Sequence, residues 1–135
     1  MILKAIELNT DKNNKMYSSD HCQMLLNMYD DYYQEIGYHL PWIGYFVLRE
    51  NQIVGSCGFK GQPKGGMVEI AYWTFDEYEG QGISTFSCSE LIKIAKTFDP
   101  SVKITATTAP EYNASTKILQ KKGFTYDSIV QDHEI

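Results

Sequence analysis

The chain has 135 residues, 43% of them hydrophobic and 21% charged, with ten Tyr, six Phe and two Trp; this is the make-up of a single globular domain over 1–135 and argues against disorder. No apolar run approaches the roughly 20 residues of a membrane helix, and the opening MILKAIEL is too short and too charged for a signal peptide, so a cytoplasmic protein without a membrane partner is expected. A net charge of −5 without a Lys/Arg cluster argues against nucleic acid as a partner and mildly favours cationic substrates such as amines.

Residues 1–8 alternate and predict a first strand. Ser18, Ser19 and Asp20 are cap-type residues ahead of a helix. Leu25, Met28, Tyr32 and Ile36 form its apolar stripe and Gly37 can end it. After Pro41, the apolar runs Trp42–Leu48 and Gln52–Phe59 flank Glu50-Asn51, a hairpin signal. The loop GQPKGG (61–66) leads to a third strand, Met67–Phe75, completing an antiparallel meander.

A polar turn, DEYEGQG (76–82), precedes a helix with Ile83, Phe86, Leu91, Ile94 and Phe98 on one stripe, stopped by Asp99-Pro100. Val102, Ile104 and Ala106 mark a strand that the crossover makes parallel to 67–75. A short helix over 113–122 and a strand over 124–130 complete a β-α-β-β-β-α-β-α-β order. Cys22, Cys57 and Cys88 are odd in number and far apart, and His21, His39 and His133 are scattered. Neither set has disulfide or metal spacing, so no metal is expected and the thiols read as small core residues.

The chemistry concentrates at two segments. In Glu79-Gly80-Gln81-Gly82-Ile83-Ser84, two glycines close a strand-to-helix turn. Glycine lets backbone N–H groups approach a ligand closely, and the helix start adds unpaired donors and a partial positive charge, which suit a pyrophosphate. No Lys-Ser/Thr follows, so this is not a P-loop, and the third glycine of a dinucleotide fingerprint is missing.

The second segment, TAPEYNASTKILQKKGF (108–124), closely resembles a stretch of the GNAT N-acetyltransferase superfamily. The branch it resembles contains ribosomal-protein and small-molecule amine acetyltransferases, where Asn-Ala-Ser opens a helix ending in Lys-x-Gly-Phe. Val68–Trp73 followed by EGQGIST is similar to the acetyl-CoA motif of that branch, and Pro41–Phe46 and Gly55–Lys60 also resemble it. The resemblance covers roughly residues 41–130. It implies an α/β fold with a mixed, mostly antiparallel sheet, helices on both faces, and a parallel strand pair splayed at an acetyl-CoA cleft.

It further implies that backbone groups of Trp73, Thr74 and Phe75 pair with the pantetheine arm. Amides of Gly80, Gln81, Gly82, Ile83, Ser84 and Thr85 would hold the pyrophosphate, and Asn113 would reach the pantetheine from the other side, unless it only caps its helix. The sequence departs from the family at Glu79, where Gln or Arg is usual, at Ser84, where Gly or Ala is usual, and at Leu119, where many members carry the Tyr that protonates the leaving thiolate. Ser115 is the substitute donor, with a first-turn cap as its plainer role; Tyr112 and Tyr126 are weaker candidates. Glu69 is the expected base, on a strand face shared with Met67, Ala71, Trp73 and Phe75. Its alternative is a surface carboxylate or an ion pair with Lys60 or Lys64.

The activity so implied is acetyl transfer from acetyl-CoA to a primary or N-terminal amine of a small molecule or protein, with the acceptor chosen by residues within 21–45. A catalytically silent CoA-binding module and an aromatic peptide-binding cleft are the competing readings. Too few residues follow 124–130 for the family's closing strand. Either a second copy supplies it, giving a homodimer, or the chain stops short of its natural end.

Overall fold

A computed structural model describes residues 1–106 of the chain. The expected helix over 113–122, the strand over 124–130 and the strand added after it lie outside the described residues. Glu50 and Asn51 both take left-handed backbone angles, φ 52° and 65°; this two-residue geometry follows the twist of the strands it joins. Those strands are β2 (Gly44–Arg49) and β3 (Gln52–Phe59). The register shifts between Val47 and Leu48, which pair with Gly55 and Ile53 and leave Val54 of β3 as the bulged residue just after the turn.

The remaining elements are β1 (Ile2–Ala5), α1 (Asp20–Ile36), β4 (Met67–Thr74), α2 (Ile83–Phe98) and β5 (Lys103–Ala106). Among the described residues the strands form one five-stranded sheet in the order β1-β2-β3-β4-β5. Antiparallel pairing runs from β1 to β4, and β4 and β5 are parallel from Met67↔Lys103 to Ile70↔Ala106. The expected mixed sheet with one parallel pair across a helical crossover is therefore present. Its expected splaying lies outside the described residues.

Local chemistry explains the helix ends. Ser19 caps α1 by accepting from the Cys22 N–H at 3.2 Å. Gly37, at φ 86°, ends it with its N–H donating to the Tyr33 carbonyl. The buried face of α1 is Cys22, Leu25, Leu26, Tyr29 and Tyr33, turned from the expected stripe: Met28 is 49% exposed, and Tyr32 and Ile36 sit at the margin. In α2 the buried positions are Ile83, Ser87, Cys88, Leu91 and Ala95, while Phe98 is exposed. Small side chains at 87, 88 and 95 let this helix lie close to the sheet, which periodicity in large apolar residues did not show.

The two helices of the described residues, α1 and α2, cover opposite faces. Ser87 of α2 lies beside Cys57, whereas Tyr29 of α1 lies over the neighbouring Gly58, and successive strand residues face opposite ways. Phe46, Val47 and Ile43 are fully buried in the resulting core, each contributing about 1.5–3 kcal/mol. Cys22, Cys57 and Cys88 are buried and form no disulfide, as the sequence suggested.

Candidate functional site

The strand β4 connects both halves of the site. Its end, Trp73-Thr74, pairs with β3 through Ser56↔Trp73 and Gly55↔Thr74. A single 3-10 turn, Asp76–Tyr78, then leads into the glycine loop. Gly80 and Gly82 have φ of 77° and 79°, and a Cβ at either would meet no atom within 4 Å. Their identity is thus demanded by the left-handed backbone rather than by packing, and the space in front of them is open. Gly82 is the N-cap of α2 and offers no side-chain cap, which leaves first-turn N–H groups for a ligand.

Three contacts hold this loop. The hydroxyls of Thr74 and Ser84 lie 2.6 Å apart, tying the last residue of β4 to the first turn of α2. This gives the unusual Ser84 a structural partner. Arg49, at the end of β2, donates to the Gln81 side chain and lies 5.4 Å from the centre of the Tyr78 ring. A guanidinium therefore sits beside a loop whose Glu79 is exposed to solvent. Sequence reading missed Arg49, because a residue 32 positions from Gln81 carries no local signal.

Glu69 lies on the α1 side of β4, two and four residues before Ala71 and Trp73. Its carboxylate is 3.1 Å from the Lys60 ammonium, with both side chains about four-fifths buried; Lys60 is one of the two partners the sequence offered. Trp73 and Phe75 meet His21 from the first turn of α1, at ring distances of 5.2 and 4.6 Å. The His21 Nε2 also lies 3.4 Å from Glu77. His21 was set aside in the sequence for lack of metal spacing, yet it closes one end of the face that carries Glu69. Asn113, Ser115, Tyr112, Leu119 and Tyr126 lie outside the described residues. Among the described residues no cluster of His, Cys, Asp or Glu could hold a metal ion, and no helix is long and apolar enough to cross a membrane.

The profile of the acetyltransferase (GNAT) domain matches residues 5–125. The chain belongs to the GNAT acetyltransferase family. It is 34% identical over 85 residues to the uncharacterized N-acetyltransferase YjdG of Bacillus subtilis (strain 168), a match covering 62% of this chain and 49% of YjdG. The chain thus spans about half the length of this curated relative.

Among solved GNAT structures, the IAA acetyltransferase from Bacillus cereus ATCC 14579 is 15% identical with a TM-score of 0.65, over 94% of this chain and 78% of that one. RimL, the ribosomal L7/L12 alpha-N-protein acetyltransferase, in complex with coenzyme A, is 18% identical with a TM-score of 0.64, over 93% of this chain and 80% of that one. At these identities the likeness is one of fold.

Proposed function

We propose that this protein transfers an acetyl group from acetyl-CoA to a primary amine, the glycine loop holding the pyrophosphate and Glu69 taking the amine proton. The observation that carries this reading is the left-handed Gly80 and Gly82 turn on the connection from β4, which bears Glu69, to the open N-terminus of α2. That loop fits a pyrophosphate because its backbone can be approached without a Cβ in the way. Backbone N–H groups over Gly80–Thr85 are the donors, and Arg49 supplies a compensating positive charge opposite Glu79. Bound acetyl-CoA contributes a thioester carbonyl open to attack by an amine.

The protein's own groups then have two tasks. Glu69 accepts the proton that an ammonium must lose before its nitrogen can attack the thioester, and its partner Lys60 holds the carboxylate in place at 3.1 Å. Ser115 is the proposed donor to the leaving thiolate, and Asn113 the second contact to the pantetheine beside Trp73, Thr74 and Phe75. The acceptor is a small-molecule or N-terminal amine, and the site of action the cytoplasm.

A second reading, a CoA-binding module without turnover, is favoured by that same Lys60–Glu69 ion pair, which already occupies the base. Thermal melting with acetyl-CoA, followed by thiol release in the presence of mixed amines, separates the two. Stabilisation with amine-dependent release is the expected result. Stabilisation without release selects the silent module, and no stabilisation removes the acetyl-CoA site.

A further inference from the structure

Three small residues line up across the sheet on the α1 face. Gly44 opposes Gly58, and Gly58 opposes Ala71, so the row crosses β2, β3 and β4 without a side chain larger than methyl. Tyr29 of α1 fills the β2 end. Its ring atoms stand 2.3–2.4 Å from where a Cβ at Gly44 would be, and its hydroxyl is 3.3 Å from the corresponding point at Gly58. The hydroxyl, 2.6 Å from the Gly44 point, thus lies between β2 and β3 on the row that continues to β4. There Ala71 is partly exposed, between Glu69 on one side and Trp73 on the other.

Tyr29 is only 9% exposed, yet its hydroxyl has no hydrogen-bond partner among the described residues. No sealed side-chain polar atom among those residues lacks a partner, so the Tyr29 oxygen reaches open space. A hydroxyl at the edge of open space pairs with water until a ligand displaces it. The neighbouring Tyr33 is instead paired within the protein, donating to the Ile6 carbonyl and accepting from the Gly44 N–H. Burial pushes the Tyr29 phenol well above the ordinary tyrosine range, so it is a donor throughout any neutral assay.

The open side of the row is walled by α1. His21 touches Trp73 at one end and Ile36 approaches Gly61 at the other. Met28 falls between them by helical spacing and is half exposed. We infer that this trough receives the acceptor amine of the reaction proposed above, with Tyr29 as the specificity residue that donates to an oxygen on the acceptor while the amine nitrogen faces Glu69.

Gly58 and Glu69 are one strand and two residues apart, about 8 Å between backbone positions by strand spacing and rise, so one small acceptor can face both side chains. A hydroxyl donor and a carboxylate on the same trough suit an amine that carries its own oxygen, as an α-amino carbonyl or a β-amino alcohol does, over plain alkylamines.

The test compares wild type with Tyr29→Phe, which retains the ring over Gly44, using glycinamide, 2-aminoethanol and propylamine as acceptors. The expected result is an approximately tenfold loss of kcat/KM for glycinamide and 2-aminoethanol and a change under about twofold for propylamine, with unchanged acetyl-CoA binding and an undiminished Tm. Equal losses for all three amines, or none, would overturn the assignment. Should wild type bind acetyl-CoA without turnover, the catalytic reading fails and the same contrast is read from the melting shift each amine produces in the presence of CoA. A glycinamide shift present in wild type and absent in Tyr29→Phe supports the trough. Its absence from wild type, or persistence in the variant, refutes it.

Discussion

Tyr33→Phe removes one oxygen from a place where three chain segments meet. The Tyr33 hydroxyl donates to the Ile6 carbonyl at 2.7 Å and accepts from the Gly44 N–H at 3.0 Å. The Ile6 N–H in turn donates to the Gly44 carbonyl at 2.9 Å. Ile6 is 2% exposed and Tyr33 5%, so water cannot readily replace the lost partner. A buried donor and a buried acceptor would both be orphaned, each at a cost of about 1–3 kcal/mol; partial relaxation makes ~3 kcal/mol a reasonable total.

With an unfolding entropy of about 2.1 cal/mol/K per residue, that total lowers Tm by roughly 10 °C for a chain of this length. The assay is a calorimetric or circular-dichroism melt of both tyrosine variants side by side. Tyr33→Phe should melt far below wild type, while Tyr29→Phe, which deletes an unpartnered hydroxyl, should not. Similar shifts for the two, or a change under 2 °C for Tyr33→Phe, would refute the reasoning that the Tyr33 bridge secures α1 to β1 and β2.

Gly82→Val introduces a β-branched side chain at φ 79° and should cost about 1–2 kcal/mol in backbone strain. It should also abolish acetyl-CoA binding by calorimetry; wild-type affinity would dismiss the glycine loop as the pyrophosphate site. Glu69→Gln should slow turnover about 10²-fold or more with acetyl-CoA affinity nearly unchanged, whereas an unaltered rate at pH 7 would leave free amine as the attacking species. Burial pushes the Cys57 thiol and the Tyr45 phenol up to about 12 from ordinary values of 9.0 and 10.0. The unfolded chain therefore loses these protons first, and their contribution is intact below about pH 9 and lost as pH rises from there towards 12. Urea midpoints should be level from pH 7 to 9 and fall above it; a level profile to pH 11 would contradict this.

The elements with local signals were legible in the sequence. Gln52–Phe59 and Ile83–Phe98 came out at the expected bounds, because a two-residue turn and an Asp-Pro stop mark their ends. Met67–Thr74 fell one residue short, since Phe75 turns its buried ring into the core as the 3-10 turn begins. Leu25, Met28, Tyr32 and Ile36 do share a helical edge, but the helix is rotated so that Tyr29 and Tyr33 point to the sheet. Spacing alone cannot tell a core stripe from the wall of a groove. The glycine loop was readable because its conformation demands glycine. The Gly44–Gly58–Ala71 row, His21 beside Trp73 and Arg49 beside Gln81 depend on strand register and crossover geometry, which join residues far apart in the chain.

The 2.6 Å contact between the Thr74 and Ser84 hydroxyls has a kinetic consequence. It couples the end of β4 to the first turn of α2, the part of a helix that ordinarily frays first. Opening of that turn would release the glycine loop and the end of β4 together, so they should exchange their amide hydrogens as one cooperative unit. A ligand gripping the loop would then slow exchange back along β4 as far as Trp73, well beyond the atoms it touches. Cutting the link with Ser84→Ala would confine that protection to the loop.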